Sequence, residues 1–259
     1  MSQNTQNTQN KWLNLISETG LKAILDPENA TIYKFLSEQS KLLKPNSLIL
    51  DAGAGKKPYK HLFNQHTYQS CDMPGGFYPD KHNFECFLDA IPTPDNHYDA
   101  IILTQVLEHT PNPLKVLTEI NRTLKPNGKL VLSVPLNAPL HGEPWHFFHF
   151  THYGLSELAN ESRFQLIMCE KIGGGFWCLG KRLPDTIKRV YKQYDPFQAK
   201  KRSRNILQCT LMSLGLLPFY LFGYLLSAYF IRPLFYFLDY LDLNKDFTLG
   251  YCAVMKKKS

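Results

Sequence analysis

The sequence predicts an α/β protein built on an open, mainly parallel sheet, and three observations carry that prediction. Residues 47–55, Ser-Leu-Ile-Leu-Asp-Ala-Gly-Ala-Gly, are a short apolar run ending in an acid and two glycines one residue apart. That is the pattern of a buried parallel strand running straight into a tight loop. Further apolar runs at 68–71, 84–88, 98–103 and 130–135 read as strands, and Leu114, Leu117, Ile120 and Leu124 between the last two recur at helical spacing. Finally, 259 residues with 44% hydrophobic and 20% charged content suit one α/β domain carrying an insertion.

Taken in order, residues 1–10 are a polar tail without the basic and apolar regions of a signal peptide, and they read as disordered. Residues 11–43 look helical, with Trp12, Leu13, Ile16, Ile32, Phe35, Leu36 and Leu42 at spacings of three and four; Pro45 and Asn46 stop the helix. In the first strand's loop, Gly53 and Gly55 permit positive φ and let a ligand approach bare peptide groups. The dinucleotide fingerprint wants a third glycine where Pro58 stands, and it has no acid ahead of the first. Asp51, at the carboxyl end of the strand, favours a ligand with a positive centre and would repel a pyrophosphate. S-adenosylmethionine, with an ammonium and a sulfonium, is such a ligand.

Residues 59–63 should begin a crossover helix, and the strand at 68–71 ends at Asp72. That acid follows Asp51 by 21 residues, close to the roughly 20 at which an acid meets ribose hydroxyls in strand-helix-strand units. A solvated turn aspartate is the plainer alternative. The strand at 84–88 ends in Asp89 and Ala90, where an acid can also cap a turn.

Asp51-Ala-Gly53-Ala-Gly55 resembles the first motif of class I S-adenosylmethionine-dependent methyltransferases, and Lys57 stands where that motif often has its third glycine. Residues 106–109 (Val-Leu-Glu-His), Asn112-Pro113, the helix stripe, residues 124–128 (Leu-Lys-Pro-Asn-Gly) and the strand 130–135 match the type 11-like subgroup in the right order. The resemblance covers residues 48–172. It implies a Rossmann-like seven-stranded sheet whose last strand, 248–255, is antiparallel, with a hydrophobic helical insertion before it. It also implies S-adenosyl-L-methionine as cofactor: Asp51, Gly53 and Gly55 at the methionine end, Asp72 and Met73 at the ribose, Asp89 and Ala90 at the adenine, and Gln105 beside them.

The loop 141–155 holds four of the nine histidines amid aromatic residues and resembles the segment that covers the acceptor. Where relatives commonly carry an aspartate and an arginine, this chain has His146 and His149. His109, His141 and His146 are the candidate catalytic residues, since an imidazole takes a proton from a hydroxyl near neutral pH; His109 can equally shape the pocket through Glu108. A metal site from His141, His146, His149 and Glu143 is conceivable, but no pair has the i, i+4 spacing of helical zinc motifs, and no metal is expected. The six cysteines form no Cys-x-x-Cys pair, which argues against a zinc knuckle or disulfide scaffold and for a reducing cytoplasm.

The net charge of +7 is concentrated between residues 181 and 204, with nine bases against two acids. Leu183, Ile187, Val190, Tyr191 and Tyr194 recur opposite those bases as a basic amphipathic helix. Residues 206–231 then contain no charge. That run is long enough for one span of roughly 20 residues, yet the last strand must return to the sheet, so a helical hairpin bent near Gly215, Pro218 and Gly223 and lying in the cytoplasmic leaflet is the expectation. A lid or homodimer interface is the alternative. The domains expected are thus a tail (1–10), N-terminal helices (11–46), a cofactor-binding domain (47–180), a basic and hydrophobic insertion (181–246), and a last strand with basic tail (247–259).

The function expected is methyl transfer from S-adenosylmethionine to a small or lipid-like acceptor, such as a lipid, quinone precursor or lipid-linked glycan. It is placed in the cytoplasm, peripheral or monotopic on the membrane surface through residues 181–238. The alternatives are a non-catalytic membrane-associated adaptor and an RNA methyltransferase. Nucleic acid is the less expected partner, because an apolar run interrupts the bases.

Overall fold

In the computed structural model, which describes residues 21–76, 81–196 and 205–258, the chain divides into two compact units. One comprises Thr31–Ile172 with Thr248–Ser259, the other Met1–Ala30 with Gly173–Phe247. The expected tail, the first half of the N-terminal helix and the bases at 200–204 lie outside the described residues.

The first unit is a seven-stranded sheet in the order β3-β2-β1-β4-β5-β7-β6. Its strands are β1 (Leu48–Ala52), β2 (Thr67–Asp72), β3 (Phe84–Glu85), β4 (Tyr98–Thr104), β5 (Leu124–Pro135), β6 (Phe164–Lys171) and β7 (Gly250–Lys257). The first five pair in parallel, while β7 runs antiparallel to both β5 and β6. The central strands carry apolar residues on both faces: Ile49, Leu50, Ile101, Ile102, Leu103 and Leu130 are essentially inaccessible. Covering both faces is what a parallel sheet requires. All six cysteines are free thiols.

Two helices show why they start where they do. α3 (Pro113–Thr123) is capped by Asn112, whose side chain accepts from the Lys115 amide at 3.0 Å, with proline in the first turn where its missing N–H costs nothing. Its apolar face, Val116, Leu117 and Ile120, is buried. α4 (His152–Glu161) begins at Thr151, which caps the Gly154 amide at 3.1 Å.

The structure changes three expected elements. The N-terminal helix is broken into α1 (Leu21–Leu25) and α2 (Pro27–Lys41), because Pro27 opens a helix but cannot continue one. The strand expected over 84–88 keeps only Phe84–Glu85; the turn that carries Ala90 already closes there, with the Ala90 amide on the Phe87 carbonyl. The crossover after the glycine loop is a single 3₁₀ turn, Lys60–Phe63. Lys57 has φ of 54°, outside helical backbone, and β2 begins at Thr67, so no room remains for a longer helix.

The second unit holds α5 (Gly175–Lys192), α6 (Ile206–Leu226), a π turn at Ser227–Ile231 and α7 (Arg232–Leu238). The stretch Ile206–Leu241 is one continuous helix of 36 residues. Pro218 lies inside α6 without ending it, so the run is not broken into two helices there, and the irregular turn falls later, at Ser227–Ile231. A hairpin exists nonetheless, with α5 as one arm and the long helix as the other. Trp177 stacks on Tyr236 and Tyr191 on Tyr220, at 5.3 and 4.1 Å between centroids, which sets the arms antiparallel. Gly180 lets them close: a Cβ there would meet the Phe235 Cβ at 3.2 Å. The amino end of α5 is held by Asp239, 1% exposed, which accepts from the Gly174 and Trp177 amides at 3.0–3.1 Å and pairs with Lys245 at 2.9 Å. A carboxylate at that end also meets the positive pole of the helix.

Candidate functional site

The carboxyl ends of β1, β2 and β4 converge in the first unit. Asp51, on β1, is 2% exposed and accepts a hydrogen bond from the Tyr68 hydroxyl. Burial pushes its carboxyl up to about 6; the Tyr68 bond opposes the rise and nearby Asp72 adds to it. Burial and Asp51 together push the Tyr68 phenol upward as well, so it stays protonated and donating.

The loop after β1 turns through positive φ at Gly53 (71°) and Gly55 (51°). A Cβ on Gly53 would sit 2.7 Å from the Val106 side chain, so only glycine lets the two loops touch. The Gly53 and Ala54 amides both donate to the Cys71 carbonyl, at 2.9 and 3.0 Å. Asp72 takes up the next two donors: its Oδ2 accepts from the Gly55 amide at 2.8 Å and its Oδ1 from the Met73 amide at 2.7 Å.

Asp89 and Ala90 stand on a turn at the rim. Asp89 pairs with Lys115 at 2.8 Å, and Ala90 is exposed. The turn is fastened to α3 by Arg122, which donates to the Ile91 and Thr93 carbonyls and pairs with Asp95 and Glu119, all at 2.7–3.0 Å. Gln105 follows β4 at φ of 53°, with its amide on the Ser133 carbonyl (2.9 Å) and its side-chain nitrogen on Ser133 Oγ (3.2 Å).

The three histidines are brought together although residues 109 and 141 are far apart in sequence. Ring centroids are 4.8 Å apart for His109 and His141, 4.3 Å for His141 and His146, and 5.4 Å for His109 and His146; His149 follows at 4.8 Å from His146. The Phe147 and Phe148 amides bond the Glu108 carbonyl at 2.9 and 3.3 Å, and Gly142 lies where a Cβ would be 3.2 Å from the His109 ring. The histidine loop thus sits on the β4 turn, which in turn abuts Gly53 through Val106.

Hydrogen-bond partners assign the tautomers. Nδ1 of His109 donates to the Trp145 carbonyl at 2.6 Å, and Nδ1 of His141 to the Pro139 carbonyl at 3.0 Å, so each keeps its lone pair on Nε2. His146 is opposite: its Nδ1 accepts from the His141 amide at 3.2 Å, which puts the proton on Nε2, a buried atom with no other partner. Burial lowers the pKa of both His109 and His146, and neighbouring imidazoles lower it further, so both stay neutral to lower pH than a free imidazole does.

Two residues were not foreseen as part of this site. Tyr68 precedes Asp72 on β2 and carries no motif signal; parallel pairing of β1 with β2 brings it to Asp51. Glu108, read only as a partner of His109, has a side chain with no exposure, 3.9 Å from His109 Nε2.

Comparison with known proteins now bears on the whole. The methyltransferase domain family Methyltransf_23 matches residues 21–173, more than half of the chain. The uncharacterized protein MJ1123 of Methanocaldococcus jannaschii is 26% identical over 110 residues, and the match covers 41% of this chain and 54% of that protein, about half its length. Among solved structures, the [4+2]-cyclase SpnF superposes with a TM-score of 0.54 at 16% identity, covering 88% of this chain and 80% of the other. At that identity the likeness shows the fold alone. A SAM-dependent methyltransferase from Methanosarcina mazei gives a TM-score of 0.47 at 12% identity, with 85% and 97% covered. The chain belongs to the methyltransferase domain family, whose cofactor is S-adenosylmethionine, and has the seven-stranded fold of that class.

Proposed function

We propose that this enzyme methylates an amphiphilic acceptor at a membrane surface, on its cytoplasmic side. The observation that carries the reading is the long helix of the second unit. Ile206–Leu241 is, among the described residues, the one helix long and apolar enough to cross a membrane, and only 11% of its most apolar window is buried. Leu211, Phe219, Phe222 and Phe230 stand 63–74% exposed. A contiguous apolar face of that size on a soluble chain marks a binding surface. Lys188, Arg189 and Lys192 are exposed on the paired α5, and each base near an anionic headgroup contributes on the order of 1 kcal/mol.

The residues of the first unit fit the cofactor. The cradle at Gly53 leaves no space for a Cβ, and two neighbouring acids, Asp51 and Asp72, suit a cationic ligand. In this reading Asp51 with the Gly53 and Gly55 backbone holds the methionine end, Asp72 and Met73 the ribose, Asp89 and Ala90 the adenine, and Gln105 braces the β4 end. When bound, S-adenosylmethionine supplies a methyl group on a sulfonium and departs as a neutral thioether. The protein's part is to hold donor and acceptor in line and exclude water. His109 and His141 offer Nε2 lone pairs to the acceptor hydroxyl and its departing proton, while His146 offers an N–H to the oxygen.

The test is flotation of the full chain with vesicles, followed by transfer of a labelled methyl group into lipid-phase acceptors. Flotation with anionic vesicles and weak flotation with neutral ones is the expected result. A chain that stays behind as a homodimer, with the long helix protected, would overturn the membrane reading and assign that helix to a self-interface.

A further inference from the structure

We infer that Glu108, His109 and His141 form a binding site for a divalent transition ion of the zinc or ferrous class. Their ligand atoms, one carboxylate oxygen and one nitrogen from each imidazole, all lie within 4.8 Å of one another. Zinc bonds of about 2.1 Å place tetrahedral ligands roughly 3.4 Å apart, so ligand atoms up to 4.8 Å apart close by up to about 1.4 Å on binding, a movement that rotation of the side chains shares.

The second observation is how the imidazoles are held. His109 and His141 each donate Nδ1–H to a backbone carbonyl, of Trp145 and Pro139. A ligating histidine is commonly fixed in this way, through its other nitrogen, which settles the tautomer and turns the Nε2 lone pair to the ion. Glu108 adds a carboxylate oxygen in a place without solvent exposure, where an ion would compensate its charge. Two imidazoles and one carboxylate suit zinc or ferrous iron better than magnesium or calcium, which favour sets made of oxygen. The set differs from the sequence's own candidate, which drew on His146, His149 and Glu143. Here His146 carries its proton on Nε2 and stands beside the site as a donor.

Three protein ligands leave a coordination position open. The use of that position rests on the methyl-transfer reading above: with an ion bound, the Nε2 lone pairs of His109 and His141 would go to it instead of to the acceptor's proton. An acceptor hydroxyl in the open position would ionise at lower pH, its proton passing to solvent and its oxygen held toward the methyl carbon. Ion binding itself does not depend on that reading.

The untagged full chain is stripped with chelator and titrated with zinc by calorimetry, then with cobalt(II) followed by visible absorption. One equivalent should bind, with the intense cobalt bands of a four-coordinate site. His141→Ala and Glu108→Gln should each weaken binding at least tenfold, and His149→Ala should leave it unchanged. No stoichiometric binding, or binding that neither His141→Ala nor Glu108→Gln alters, overturns the site. Because Glu108 is buried, His141→Ala decides the matter if Glu108→Gln fails to fold. S-adenosylmethionine binding is measured on the same samples; ion binding without cofactor binding would sink the methyl-transfer reading and leave the ion site standing.

Discussion

Asp72 and Gly55 are joined across two strands: the amide that follows β1 donates to the carboxylate that ends β2, at 2.8 Å. The acid therefore shapes the glycine loop in which the cofactor is proposed to bind. Asp72→Ala should lower S-adenosylmethionine affinity at least a hundredfold by calorimetry. Asp72→Asn, which keeps an acceptor for the Gly55 amide, should lose less. Equal losses would mean that the loop bond contributes nothing.

Asp51 predicts a pH dependence. Its carboxyl is raised to about 6 from 3.8 in the free protein, so the folded state holds the proton more tightly than the unfolded one. The stability linked to that proton is present below pH 4 and is lost as pH rises through 6, a change of about 3 kcal/mol. Asp51→Asn should therefore raise the melting temperature of the cofactor-free protein at pH 8 and not at pH 4, while abolishing cofactor binding. In the wild type, affinity for the cationic cofactor should fall as pH drops below 6. A pH-independent affinity between 5 and 8 would contradict this.

Gly53 meets two constraints at once, a φ of 71° and the Val106 side chain 2.7 Å from any added Cβ. Gly53→Ala should destabilise the fold by roughly 1–3 kcal/mol and remove cofactor binding. Adding Val106→Ala should recover part of the stability, since it relieves the clash and leaves the backbone strain. Denaturant unfolding of the wild type and both variants checks this.

Asp239 ties the amino end of α5 to the end of the long helix. Asp239→Ala strands two buried amides and the Lys245 ammonium, and should cost roughly 2–4 kcal/mol. The loss should appear in the helical signal of the second unit with cofactor affinity intact.

Much of the first unit was legible in the chain. Alternating apolar runs and a helix stripe specify strands and helices by period, and the acid and two glycines after β1 mark the cradle through the short-range demands of backbone sterics. The sequence thus placed Asp51, Gly53, Gly55 and Asp72 together, since each lies at the end of a parallel strand or in the loop beyond it.

Elements set by longer-range packing were read less well. The hairpin expected from a bend near Gly215, Pro218 and Gly223 did not form within the run, which stays helical past its proline and has α5 as its partner arm. The hairpin's true arms depend on Tyr191 meeting Tyr220 and Trp177 meeting Tyr236, pairs that no local pattern announces.

What the sequence by itself determined is the fold class, the tight glycine loop after β1 and the presence of an uncharged apolar run, because these arise from periodicity and from residue types whose constraints act within a few positions. Only the tertiary structure decided that Tyr68 would hold Asp51, that Arg122 would fasten the Asp89 turn, and that Glu108, His109 and His141 would converge. Those groups come from different strands, helices and loops, and it is the sheet's strand order, with the loops that pack at its carboxyl edge, that brings them within reach.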